Sequence, residues 1–193
     1  MSSMNATGAP ATPDSYAPPA RRRGYVQAMR KIAANRSPGD PVRIYLSAPP
    51  VYRDRPNWQH RVDTIRQALP DGIELLDFHA VFADRADYTA RWAEFAASLD
   101  GLVVTGTRAK PGKMRMHVLG SAARQELITV VAAGKPVLLH NMELGLIPVL
   151  DCRPKRLGPP DDAQLRLLIP HGWTGVPPTL DAALDALRPT GTP

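Results

Sequence analysis

Between residues 42 and 140 short apolar runs alternate with helix-like blocks, and this alternation constrains the fold more than any other feature. Val42–Ala48 (VRIYLSA), Ile73–Phe78 (IELLDF), Gly101–Thr105 (GLVVT) and Pro136–His140 (PVLLH) have the length and composition of strands. Trp58–Leu69 sets Val62, Ile65 and Leu69 at helical spacing, with Asn57 in the cap position. Tyr88–Leu99 aligns Trp92, Phe95, Ala96 and Leu99 on one face, and Ser121–Ala133 runs to Gly134, a common helix stop. Two of the strands are continuous apolar runs, as parallel strands covered on both faces are. An α/β fold follows, with a doubly wound, mostly parallel sheet of four or five strands. Leu165–Ile169 reads as a fifth strand and Thr179–Leu187 as a closing helix.

Composition divides the chain into a basic tail, residues 1–40, and a domain, residues 41–188. Residues 1–40 hold six Lys or Arg against Asp14 and Asp40, so +4 of the net +6 lies in the tail. Residues 1–20 carry too little apolar surface to fold and are expected to be disordered. Residues 21–36 (RRRGYVQAMRKIAANR) fit a short helix with Tyr25, Val26, Met29, Ile32 and Ala33 on one face. That segment reads either as a solvated extension or as a weak nucleic-acid contact through Arg21–Arg36; an acidic partner or a membrane surface would suit the same charge. Cys152 is the only cysteine, which excludes an internal disulfide and suits a reducing compartment. With no apolar run near the ~18 residues of a membrane span and no apolar signal core at the start, a cytoplasmic protein without a membrane partner is expected.

On such a sheet a ligand binds beyond the carboxyl ends of the strands, where strand order reverses. The segment TGTRAKPGKMRMHVLGSAARQE after the third strand holds Arg108, Lys110, Lys113, Arg115 and His117, with no acid before Glu126. It enters a helix through Gly120-Ser121-Ala122, whose small side chains let backbone N–H groups approach an anion. The segment fits a phosphate-attracting loop or, equally, a solvated mobile one; it is no P-loop, because Gly-Lys-Ser/Thr is missing. Leu127, Val130 and Val131 read as the buried face of the helix, so Glu126 either points to water or lines the crevice. His60, His79, His117, His140 and His171 lack metal-ligand spacing, and nothing near Cys152 marks an activated thiol. Neither a metal nor an organic cofactor is expected.

GSAARQELITVVAAGKPVLL resembles the signature of the nucleoside 2-deoxyribosyltransferase-like superfamily: a small-residue helix entry, a Glu-Leu pair, an Ala-rich turn, and Gly-Lys-Pro before an apolar strand. RIYLSAPP is similar to the first strand of that family and SLDGLVVTG to its third, so the resemblance spans residues 42–140 in the family's order. It implies a flavodoxin-like or Rossmann-like domain that cleaves or transfers at the N-glycosidic bond of a nucleoside or nucleoside monophosphate. On this resemblance Glu126 is the nucleophile, Tyr45 the tyrosine that orients it, and Asp87 the carboxylate near the base, with Asp84 as second choice. Asp100 matches a family position that caps or braces the third strand. Ser47, Gly120, Ser121, Arg108, Lys113 and Asn141 are the candidate substrate-binding residues. Transferases of the family often carry an aspartate where Gly120 stands; Ser121 and the basic segment look more like the branch that cleaves nucleoside monophosphates. The family also implies a homo-oligomer whose neighbouring subunit completes the site. The alternative is a non-catalytic nucleotide- or nucleic-acid-binding module that retains the fold, with Pro49–Arg55 filling the pocket.

Overall fold

The computed structural model describes residues 40–69, 72–108, 115–154 and 164–171. The tail, its amphipathic segment, Lys113 and the closing helix expected at Thr179–Leu187 lie outside the described residues. The elements are β1 (Val42–Ser47), α1 (Trp58–Ala68), β2 (Ile73–Asp77), α2 (Phe78–Val81), α3 (Arg85–Ser98), β3 (Gly101–Val104), β4 (Thr107–Arg108), β5 (Met116–Leu119), α4 (Ser121–Ala132), β6 (Val137–Asn141), β7 (Gly145–Pro148), β8 (Arg153–Pro154) and β9 (Leu165–Leu168).

An α/β architecture with a mostly parallel sheet results. Five strands run in the order β2-β1-β3-β6-β7. β2, β1, β3 and β6 are parallel, and β7 returns antiparallel to β6 with Asn141 opposite Gly145. Alternate residues of each strand go to opposite layers. Ile44, Leu46, Val103 and Leu138 pack with Val62 and Ile65 of α1. Tyr45, Leu102, Val104, Val137 and Leu139 pack with Trp92 and Ala96 of α3 and with Ala123, Leu127 and Val130 of α4. Burial on both faces is why these strands are apolar at successive positions. Val131, expected in the core, is 39% exposed; α4 turns it outward while Leu127 and Val130 go in.

Local chemistry sets the helix ends. Asp84 caps α3 by accepting from the Asp87 N–H (2.8 Å), and the Asp87 carboxylate reaches back to the Ala83 N–H (3.0 Å). This reciprocal pair, close to a capping box, starts the helix at Arg85, ahead of the apolar spacing at Tyr88. Asn57 stands at the start of α1, yet its side chain makes no capping hydrogen bond. Gly134, at φ +72°, reverses the chain after α4 where a side chain would be strained.

A second, antiparallel sheet of four strands, β4-β5-β9-β8, was not expected. What reads as a single basic loop contains a buried strand: Met116, His117 and Leu119 of β5 are all inside. Leu165–Leu168 is a strand, as expected, but pairs antiparallel with β5 instead of joining the parallel sheet. Leu119, Leu167 and Ile169 seal this sheet onto the α3/α4 side of the core.

Gly106 lets the chain turn from β3 into β4. A Cβ there would lie 2.8 Å from the Val118 carbonyl oxygen and 3.2 Å from the His117 Cβ. Gly106→Ala should therefore cost about 2 kcal/mol, since β5 must yield. Thermal unfolding of the variant checks this; an unchanged midpoint would mean that β5 moves without cost.

Candidate functional site

The site forms where strand order reverses. β2 lies on one side of β1 and β3 on the other, so the chain diverges at the carboxyl ends of β1 and β3. Ser47 ends β1, and Thr105 follows β3, donating its N–H to the Ser47 carbonyl (2.9 Å). α4 runs beside these ends on the layer that also holds Tyr45.

Glu126 is drawn into this layer and is only 4% exposed. The Tyr88 hydroxyl donates to its Oε1 at 2.9 Å, and Ser47 lies near enough to favour the charged carboxylate. Burial raises the Glu126 pKa above its ordinary value, and Ser47 and Tyr88 oppose that shift. Burial, and then the nearby Glu126 charge, push the Tyr88 phenol upward, so it stays a donor at neutral pH.

Tyr45 sits differently from the expected arrangement. The hydroxyl that reaches Glu126 belongs to Tyr88. Tyr45 is close enough for the Glu126 charge to help burial raise its pKa, and its ring packs among Trp92 (5.4 Å), Phe95 (5.6 Å) and Phe82 (6.4 Å). Trp92 also lies 5.4 Å from the Tyr88 ring, so one aromatic cluster positions both tyrosines. Sequence reasoning passed over Tyr88 because it stands at the expected start of a helix; its partner lies 38 residues on.

The other candidates divide. Ser47 lies near Glu126. Gly120 is the exposed N-cap residue of α4, and Ser121 is exposed in its first turn. Asp87 serves its helix: it accepts from the Ala83 N–H and pairs with Arg91 at 3.0 Å, and these contacts hold its carboxyl below the usual range. Asp100 braces the sheet, its Oδ2 accepting from the Arg43 N–H at 2.8 Å. Asn141 shapes the turn into β7: its Oδ1 accepts from the Glu143 and Leu144 N–H groups at 2.9 and 3.0 Å. That fixes Nδ2 as the donor to His117 Nε2 (2.9 Å) and places the imidazole proton on Nδ1. Arg108 pairs with His117 in the β4–β5 ladder. No helix among the described residues is long and apolar enough to cross a membrane, and no group of three or more His, Cys, Asp or Glu there could hold a metal ion.

The segment Pro49–Arg55 forms a strap across the carboxyl edge. Pro50–Tyr52 is one turn of 3-10 helix. Tyr52 is buried and donates its hydroxyl to the Gly106 carbonyl at 3.1 Å. Arg53 pairs with Asp77 at the end of β2 (3.5 Å). The strap thus ties β2 to the segment after β3 and passes over β1.

Comparisons with protein-family models, with curated proteins and with solved structures return no match for this chain.

Chemically, the centre is a carboxylate screened from bulk water, held by the Tyr88 hydroxyl and walled by aromatic rings. Such a group can attack an electrophilic carbon or exchange a proton.

Proposed function

We propose that this protein cleaves or transfers at the N-glycosidic bond of a nucleoside or nucleoside monophosphate, with Glu126 as nucleophile. The observation that carries the reading is the buried Glu126 carboxylate, held by Tyr88 and near Ser47, beside the switch point. The order β2-β1-β3-β6 supports a flavodoxin-like or Rossmann-like reading of the domain. The resemblance of residues 42–140 to the nucleoside 2-deoxyribosyltransferase-like superfamily supplies the reaction class.

In this reading the ionised Glu126 attacks the anomeric carbon as the C–N bond breaks. The C–N electron pair leaves with the base, which takes up a proton from solvent, and a glycosyl ester forms. Water or a second base then attacks the same carbon and releases the carboxylate. Tyr88 orients the attacking oxygen and, with Ser47, steadies the charge that returns to it. The exposed start of α4 at Gly120 and Ser121 suits an anionic group such as a 5′-phosphate.

Incubation with a panel of nucleosides and nucleoside monophosphates, followed by detection of free base, tests the reading. Release of base from at least one member is expected; release from none contradicts it. Because Glu126 must be ionised and burial raises its pKa, the rate should fall on the acid side at a pH above the ordinary glutamate range. An acid limb at the ordinary value would contradict that environment.

Tyr88→Phe removes the direct hydrogen bond and should slow base release about 100-fold, at the lower end of the loss for one positioned donor. Tyr45→Phe should cost less, because Tyr45 acts through packing. The reverse ranking in steady-state rates would return the orienting role to Tyr45.

A second reading, a non-catalytic module that binds a nucleotide, draws on the strap. Buried Tyr52, tied to Gly106, covers part of the carboxyl edge where a ligand would enter. Binding of nucleotides without base release would favour it.

A further inference from the structure

Beneath the strap, on the α1 side of the sheet, lies a polar cluster that the chemistry of Glu126 does not use. Thr105 and His140 are neighbours across β3 and β6, one step beyond the Val104–Leu139 pair. Both are fully buried. Arg61 of α1 donates to Thr105 Oγ1 at 3.2 Å, and its guanidinium lies 4.7 Å from the centre of the Tyr52 ring. Arg55 lies over the same ring at 5.0 Å. Arg61 therefore links the sheet to the strap. Neither ring nitrogen of His140 meets a hydrogen-bond partner among the described residues.

We propose that the Pro49–Arg55 strap is a gate over the carboxyl edge of the sheet, clasped shut by Arg61 and opened when His140 takes up a proton. The inference goes beyond the reading of Glu126 and holds whether or not that residue is a nucleophile. A buried histidine without partners has no way to stabilise an added proton. The groups whose charge bears on His140 are Arg61 on α1 and His117 on β5, and both oppose a positive imidazole. Its neighbours across the sheet, Thr105 just after β3 and Leu146 on β7, carry no charge. Protonation sets a second cation beside Arg61, and lifting Arg61 together with Tyr52 is the local movement that lets water reach both.

Linkage gives the sign and the window. In the closed state burial, then Arg61 and His117, lower the His140 pKa from 6.5 to about 4. Hydration in the open state returns it toward 6.5, so the open state binds the proton more tightly. Opening should rise as pH falls, at most tenfold per unit, by roughly 80-fold between pH 6.5 and 4.

Amide hydrogen exchange of the full chain across that range, corrected for intrinsic rates, tests the gate. The Tyr52, Arg53 and Arg55 amides, bonded to Pro49, Pro50 and Tyr52, report the strap; Leu102, bonded to Pro136, reports the core. Strap protection should lie below core protection, ignore dilute urea, and fall with pH as stated. His140→Gln should abolish the pH slope, and Arg61→Gln should leave protection low at every pH. Tyr52→Phe, which keeps His140, should lower strap protection and retain the slope; this variant serves if His140→Gln does not fold. Flat strap protection over the range, strap amides that track the core, or an unchanged slope in His140→Gln would overturn the proposal.

Discussion

Glu126→Gln should abolish base release while making the protein more stable at neutral pH. Loss of the nucleophile should lower the rate on the order of 10^3-fold or more. Glutamine keeps an oxygen that can accept from Tyr88, so the hydrogen bond at Oε1 survives. What disappears is a buried negative charge. The Glu126 pKa is raised in the folded state by burial. Stability associated with its protonated form is therefore complete below the unfolded value and lost as pH rises through the folded one. Wild type and variant should melt alike in acid, with the variant gaining as pH rises. Melting temperatures across pH measure this. A variant that melts lower at neutral pH would mean that the carboxylate stabilises the fold and is not held at a cost for function.

Trp92→Ala should cost about 4 kcal/mol, a large share of the stability of a domain of this size. Trp92 is buried at the centre of the α3 layer and touches Tyr45 and Tyr88 at ring distances of 5.4 Å each. Its removal opens a cavity and frees the tyrosine that holds Glu126. The melting temperature should fall on the order of 10 °C. Trp92→Phe should be milder, because the indole N–H meets no hydrogen-bond partner among the described residues. If Trp92→Ala melted within a few degrees of wild type, the aromatic cluster would not be what anchors α3.

The parallel sheet was legible because its cause is written at every second residue. Ile44 and Leu46 serve one layer and Tyr45 the other, so the strand had to be apolar throughout. The second sheet was hidden by its brevity: Met116–Leu119 is four residues long, follows a run rich in Lys and Arg, and gains strand character only by pairing with Leu165–Leu168. Long-range pairing of that kind leaves no local period. At the site, Glu126 stood out through its helix and its resemblance, but its burial and the approach of Tyr88 depend on how α3 crosses α4. Asp87 stood one residue from that contact, and its carboxylate was claimed by the start of its own helix. Tyr52 lay in the Pro49–Arg55 segment and Arg61 outside the apolar spacing of its helix; their stacking needs the strap folded over the sheet.

The central claim is that Glu126 forms a bond to a sugar. Its most direct test is mass spectrometry of the protein quenched during turnover of the nucleoside and nucleotide panel. A pentosyl or phosphopentosyl adduct on the peptide containing Glu126 is predicted, absent from Glu126→Gln. Base release with no adduct at Glu126, or release that persists in Glu126→Gln, would contradict the claim.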